Sequence, residues 1–283
     1  MATADHRRRF LGSTERGLGA LLQSGSLTGG DVRWTALAPS VNEALTAALD
    51  RLGVTVAESR HEGESHLATA LSASTVVDSI KVGAWTSSVI RLLGAVTNLS
   101  VAHSRTFVRG SGPVALDLAR RLVAMGARVV LTGDEPVQLL TAAQRGFTIQ
   151  QGPIPVPAEV VFVFDTAESV RPLSGADFAP GGPVVAIDAA LPVRATTSTS
   201  PTEASSFGRA GLVPLAAGAR EVALLDAAIF RDSTFDETAT DIETAFALHL
   251  LALATDEARR GNAAFDPDLI AAADAALARE VLA

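Results

Sequence analysis

"TFVRGSGPVALDLARRLVAMGARVVLTGDEP", residues 106 to 136, is the stretch on which the reading of the whole chain turns. A short apolar run leads into Gly110-Ser111-Gly112-Pro113-Val114-Ala115. An amphipathic segment follows, and then a second β-branched run, "ARVVLT". Strand, glycine turn, helix and strand in that order describe a dinucleotide-binding unit. Its first glycine permits the tight turn, the second lets the backbone approach a pyrophosphate, and the third position must be small so that helix and strand pack closely. Gly110, Gly112 and Ala115 meet these three needs. A helix opening at Pro113 would aim its free N–H groups and the positive end of its dipole at the pyrophosphate. The proline loses nothing there, because its missing N–H would have had no partner inside the helix. Gly110, Ser111, Gly112, Pro113, Val114 and Ala115 are therefore the expected cofactor-binding residues. The competing reading is that the turn serves only the packing of an α/β fold.

The same fold places an acid at the end of the second strand, to accept hydrogen bonds from the adenosine ribose. The strand ends "VVLTGDEP", so Gly133 occupies the first place for that acid, with Asp134 and Glu135 behind it. Either Asp134 turns inward as the ribose ligand, or both carboxylates are solvated charges at a helix start. No arginine stands beside them to favour a 2′-phosphate. The expectation is a weakly held NAD, which Gly133→Glu would tighten if φ at that position is negative.

Working outward, β-branched runs alternate with helical stretches from Ser104 onward: "TFVR", a helix, "ARVVLT", a helix over about 135–145, "FTI", "EVVFVF", "GPVVAID", "GLVPLAA" and "EVALLDAA". Such alternation predicts a parallel sheet. Upstream, a polar helix opens the chain, "VRWTALAP" and "VTVAES" read as strands, and "SVNEALTAALDRLG" reads as a helix capped near Ser40 or Asn42 and closed by Gly53. "ESHLATALSASTVVDSIKVGAWTSSVIRLLG" reads as one or two helices. After "RDSTFDETATD" come two Ala- and Leu-rich helices, about 241–260 and 267–282, separated by "GNAAFDPD". The expected fold is α/β: a Rossmann-like doubly wound parallel sheet over 81–240, beside a smaller α/β lobe formed by 1–80 and completed by the C-terminal helices, 241–283. "RATTSTSPTEASS", 194–206, reads as a loop.

Composition bounds the function. With 23 basic and 31 acidic side chains the formal charge is -8, which disfavours nucleic acid and anionic membrane surfaces as partners. No cysteine is present, so thiolate catalysis, disulfides and cysteine-ligated zinc are excluded. Three arginines near the N-terminus precede no long apolar segment, and no uncharged run of about 18 apolar residues occurs, so a cytoplasmic location is expected. "HEGESH" spaces its histidines five apart around Gly63, whereas a zinc pair on one helical face needs four. No metal site is expected. Asp165 and Asp188 follow the runs "VVFVF" and "VVAI", at strand ends where α/β sites are built.

From Ser74 to Leu253 the order of motifs resembles S-adenosylhomocysteine hydrolase, a family that uses NAD to oxidise and later reduce a nucleoside. "VVDSIK" is similar to the family's segment bearing the catalytic lysine, which would be Lys81, and "ESHLATAL" to the segment bearing its histidine, which would be His66. The run from Val108 to Ile149 resembles the cofactor turn and second strand. "AEVVFVFDTAESV" and "LVPLAAGAREVALLDAA" look like strands that close over the nicotinamide, and "DETATDIETAFALHLLAL" like the helix leading back to the substrate domain. The family's "TGN" turn becomes "DTA", which would set Asp165 and Thr166 near that ring. The departures fall on the chemistry. One catalytic aspartate is replaced by Ser65 and another by Trp85, neither of which moves protons as a carboxylate does. The ribose acid falls on Gly133, and the tyrosine-bearing tail is absent from a chain with no tyrosine. The resemblance thus implies a one-carbon-metabolism relative that binds NAD and has lost hydrolysis.

Three functions fit these residues. The first is a nucleotide- or nucleoside-binding protein with a regulatory role. The second is an NAD-dependent oxidoreductase of another small substrate, using Lys81, Asp165 or Asp188. The third is a homo-oligomeric scaffold built on the Ala- and Leu-rich helices, with an empty cleft.

Overall fold

The computed structural model describes residues 37–54, 66–97, 100–133, 135–150, 158–163, 183–186, 212–217, 220–225 and 233–282. Outside these lie the opening helix, most of the strands expected at "VRWTALAP" and "VTVAES", all of "HEGESH" but His66, and Asp134, Asp165, Thr166, Asp188 and the loop 194–206. The chain divides into two compact units, Met1–Lys81 with Thr234–Ala283, and Val82–Ser233.

The contiguous unit carries the sheet. Its strands are β1 (Arg105–Arg109), β2 (Arg128–Thr132), β3 (Thr148–Ile149), β4 (Val160–Val163), β5 (Pro183–Ala186), β6 (Leu212–Ala217) and β7 (Arg220–Leu225), in the order β3-β2-β1-β4-β5-β7-β6. The chain winds outward from β1 in both directions, to β2 and β3 on one side and to β4 and β5 on the other. That is a Rossmann-like, doubly wound α/β sheet. All neighbours are parallel except β6 and β7, which pair antiparallel from Leu212↔Leu225 to Ala217↔Arg220. The parallel sheet that the alternation predicts is present, and β6 adds an antiparallel edge to it. Only residues 218 and 219 separate those two strands in sequence, and a parallel crossover needs a dozen or more residues. Pro214 within β6 agrees with an edge strand, since proline has no N–H to give to a second neighbour.

Between the first strands run the helices Pro113–Ala124 and Pro136–Gln144. Ala115, Leu118, Ala119 and Leu122 recur on one stripe of the former and are buried with Val108, Val129, Leu131, Val160 and Phe162 of the sheet. Val89 and Leu93, from the long helix Thr75–Thr97, join the same core.

Every described element of the other unit is helical: Pro39–Arg51, His66–Ala73, the start of Thr75–Thr97, Ser233–Leu253, Asp256–Arg259 and Pro267–Leu282. In chain order the helices are hereafter α1 (Pro39–Arg51), α2 (His66–Ala73), α3 (Thr75–Thr97), α4 (Pro113–Ala124), α5 (Pro136–Gln144), α6 (Ser233–Leu253), α7 (Asp256–Arg259) and α8 (Pro267–Leu282). Leu45, Leu67, Val77, Phe246, Leu250 and Leu277 belong to its core. Three expectations are corrected. Leu37 and Ala38 are not strand, and α1 starts at Pro39 with Ala38 as its N-cap and no side-chain cap from Ser40 or Asn42. Proline's fixed φ suits the first helical turn and sets the start there. Val54 is not strand either. Helix α6 begins at Ser233, about two turns before the expected residue 241, so "DETATD" is helical rather than a loop.

A buried carboxylate ties the two chain ends of this unit together. Asp274 on α8 accepts hydrogen bonds from the Ser74 hydroxyl at 2.5 Å and from the Thr75 N–H and hydroxyl at 2.9 Å each. The Ser74 oxygen in turn accepts from the Val77 N–H at 3.1 Å, capping the first turn of α3.

Candidate functional site

The turn after β1 lies where the strand order reverses, between β1 and its neighbours β2 and β4. In open α/β sheets, ligands bind at the carboxyl ends of the strands at this switch point. Gly110 has φ of 148°, which L side chains rarely adopt, and its N–H donates to the Thr132 carbonyl at 2.7 Å, tying the turn to the end of β2. Ser111 is buried. Gly112 is the extended N-cap of α4 (φ -70°, ψ 171°), with Pro113 in the first turn. The first helical bond to form runs from Leu116 N–H to Gly112 C=O at 3.0 Å, which leaves the Val114 and Ala115 N–H groups without a helical acceptor. Ala115 is 1% exposed and its small side chain lets α4 approach the sheet. A Cβ added at Gly112 would meet none of the described residues within 4 Å. The glycine is needed neither for backbone conformation nor for packing against the described residues.

Gly133 is different. Its φ is not in the left-handed region, yet a Cβ there would lie 2.7 Å from both Cβ and Oγ of Ser111 and 3.0 Å from its N. Crowding alone demands glycine. The expectation that Gly133→Glu would simply restore a ribose ligand is therefore corrected, since Ser111 fills the space its side chain needs.

The catalytic candidates fare unevenly. Lys81 on α3 forms an ion pair with Glu243 on α6, with the lysine side chain 38% and the carboxylate 16% exposed. Sequence reasoning looked for a carboxylate one turn along at Trp85 and missed Glu243, which is 162 residues away. His66 is exposed at the start of α2 and, among the described residues, has no hydrogen bond or ion pair to orient it as a base. Arg109, also passed over, ends β1 opposite Thr132 and is 2% exposed. A buried arginine keeps its charge, so a fixed cation stands in the strand that leads into the turn.

On α4, Asp117 accepts from Arg120 and Arg121 at 2.6 Å each and lies 2.5 Å from the Thr86 hydroxyl of α3. Arg121 also donates to Ser87 at 2.9 Å. Burial pushes the Asp117 carboxyl up, but the hydrogen bonds from Thr86, Arg120 and Arg121 outweigh it and hold the group below the ordinary aspartate value. All these partners are protein groups, so the cluster fastens α3 to α4.

A cleft of about 520 Å³ is lined by Arg120, Val123, Arg128, Arg145 and Phe147. Arg128 opens β2, so this cleft is at the amino ends of the strands, opposite the glycine turn, and does not serve as the switch-point site. Among the described residues no group of three metal-ligating side chains occurs, and no helix is long and apolar enough to cross a membrane.

No protein-family model matches the sequence, and no curated protein matches it. Solved structures similar to it include a transhydrogenase from Sinorhizobium meliloti, at 15% identity over 72% of this chain and 63% of that one, with a TM-score of 0.37. A 5-ketofructose reductase of Gluconobacter sp. strain CHM43, in a ligand-free form, is 13% identical over 70% of this chain and 63% of its own, with a TM-score of 0.33. A phosphoglycerate oxidoreductase from Vibrio cholerae O395 is 16% identical over 50% of this chain and 48% of its own, with a TM-score of 0.29. This chain spans less than two thirds of the length of each. None of the three is an S-adenosylhomocysteine hydrolase. At these scores the likenesses carry no functional argument, and the fold class rests on the strand order itself.

Proposed function

We propose that the chain binds NAD or a close dinucleotide at the Gly110–Ala115 turn and does not hydrolyse S-adenosylhomocysteine. The observation that carries the reading is Gly112. It adopts a conformation open to any residue and, among the described residues, has nothing within 4 Å of its absent Cβ, at the switch point and at the start of α4. The N–H groups of Val114 and Ala115 would hold the pyrophosphate there. When bound, a nicotinamide supplies a hydride acceptor or donor. Against hydrolysis stand His66, which no described residue orients, and the Ser65 and Trp85 that replace the family's acids. A binding or regulatory role follows from that loss.

A second reading, an oxidoreductase of another small substrate, is favoured by the Lys81–Glu243 pair, which gives the lysine a carboxylate after all.

Isothermal titration of NAD into the wild type and Gly112→Val tests the proposal. The variant keeps its helical circular dichroism, because its backbone angles suit valine. Its affinity falls by at least about a hundredfold, because a branched side chain occupies the space of the pyrophosphate. Equal binding by both proteins, or none by the wild type, overturns it and leaves the glycine turn structural.

A further inference from the structure

We infer that Ser111 and Gly133 together remove the discrimination between dinucleotides with and without a 2′-phosphate, so that the two forms bind with similar affinity. The inference rests on the nucleotide reading of the turn and deepens it.

With Ser111 in place, no side chain fits at 133, because the first added carbon already stands 2.7 Å from two side-chain atoms of a residue that is only 2% exposed. Ser111 cannot swing aside freely. It sits between the left-handed Gly110, bonded to Thr132, and the N-cap Gly112. A serine of the phosphate turn has thus taken the volume that an acid at 133 would need.

An acid in that place does two things to a dinucleotide. It accepts hydrogen bonds from the ribose hydroxyls, which raises affinity for the unphosphorylated form. It also repels a phosphate on the 2′ oxygen, because like charges a few ångströms apart lie within the Debye length and are only partly screened by salt. Filling the place with a neutral hydroxyl removes both effects from position 133 at once. Affinity for the unphosphorylated form falls, the penalty on the phosphorylated form disappears, and the two converge. The next acid described, Glu135, is exposed as the N-cap of α5 and makes no cap hydrogen bond.

The test is titration of the full-length chain with NAD and with NADP, for the wild type and for the double variant Ser111→Gly, Gly133→Glu. In the wild type the two dissociation constants agree within about threefold. In the double variant the added carbon loses both serine side-chain contacts and keeps only the 3.0 Å approach to the backbone N of residue 111, the carboxylate returns, and NAD is favoured by about tenfold or more. Gly133→Glu alone, with the overlap unrelieved, loses helical circular dichroism or binds neither nucleotide. A wild-type preference for NAD above about tenfold overturns the inference while sparing the nucleotide reading, since another acid then does the work. An unchanged ratio in a folded, binding double variant overturns it too. Absence of binding by either nucleotide to the wild type overturns the reading on which it stands.

Discussion

Replacing Asp274 by alanine removes one carboxylate and three hydrogen bonds, to the Ser74 hydroxyl and to the Thr75 N–H and hydroxyl. Hydrogen bonds to a charged group contribute about 1.5–3 kcal/mol where water cannot substitute. Ser74 is 1% exposed and Asp274 9%, so the bond between them counts in full. Thr75 is exposed and water replaces the acceptor there, so its two bonds together count for about 1 kcal/mol. The carboxylate's own burial cost is recovered on its removal, which leaves an expected loss of about 2–4 kcal/mol. Asp274→Asn keeps one acceptor oxygen and should lose about half as much. Because the chain has two units, urea unfolding followed by circular dichroism alone would blend them. Amide hydrogen exchange separates them: protection at Thr75 and Val77, the first turn of α3, should drop before that of β1 and β2. Retained protection at Thr75 in Asp274→Ala, with unfolding within about 0.5 kcal/mol of wild type, would refute the clamp.

Asp117 and Lys81 give two further expectations. The Asp117 carboxyl is held below its ordinary value in the folded state, so its stabilisation is complete above the unfolded value of 3.8 and is lost as pH falls through the lower folded one. The stability gap between wild type and Asp117→Asn, measured by urea unfolding from pH 7 downward, should stay constant to about pH 4 and narrow below it; a gap that widens on acidification contradicts the arrangement. Lys81→Met should change stability by less than about 1 kcal/mol in thermal unfolding, because a lysine that is 38% exposed loses little when its ion pair goes. A larger loss would mean that the pair is structural.

What was legible in the sequence is what local periodicity encodes. The apolar stripe Ala115, Leu118, Ala119 and Leu122 marks α4, and the runs around Val108, Val130 and Val161 mark neighbouring strands. The antiparallel edge was also written there, in Pro214 and in a two-residue link, but alternation of β-branched runs outweighed both. The early start of α6 was hidden because Ser233, Thr234, Asp236 and Thr238 in its first turns favour caps and loops when judged alone. The site was half legible. Gly110, Gly112 and Ala115 follow from spacing. The contact of Ser111 with Gly133 and the pairing of Lys81 with Glu243 join residues distant in sequence, and no periodicity announces them.

The Asp274 clamp has a consequence for synthesis. The sheet unit occupies one uninterrupted stretch, Val82–Ser233, and has all its strands once that stretch has left the ribosome. The helical unit is assembled from both ends of the chain, and Ser74 waits 200 residues for its carboxylate. Until α6 and α8 emerge, Leu45, Leu67 and Val77 have no Phe246, Leu250 or Leu277 to cover them. The segment made before the sheet unit thus waits for the segment made after it, and in that interval the apolar side chains of α1, α2 and α3 lack their partners from α6 and α8, a period in which holdase chaperones and aggregation compete for a nascent chain.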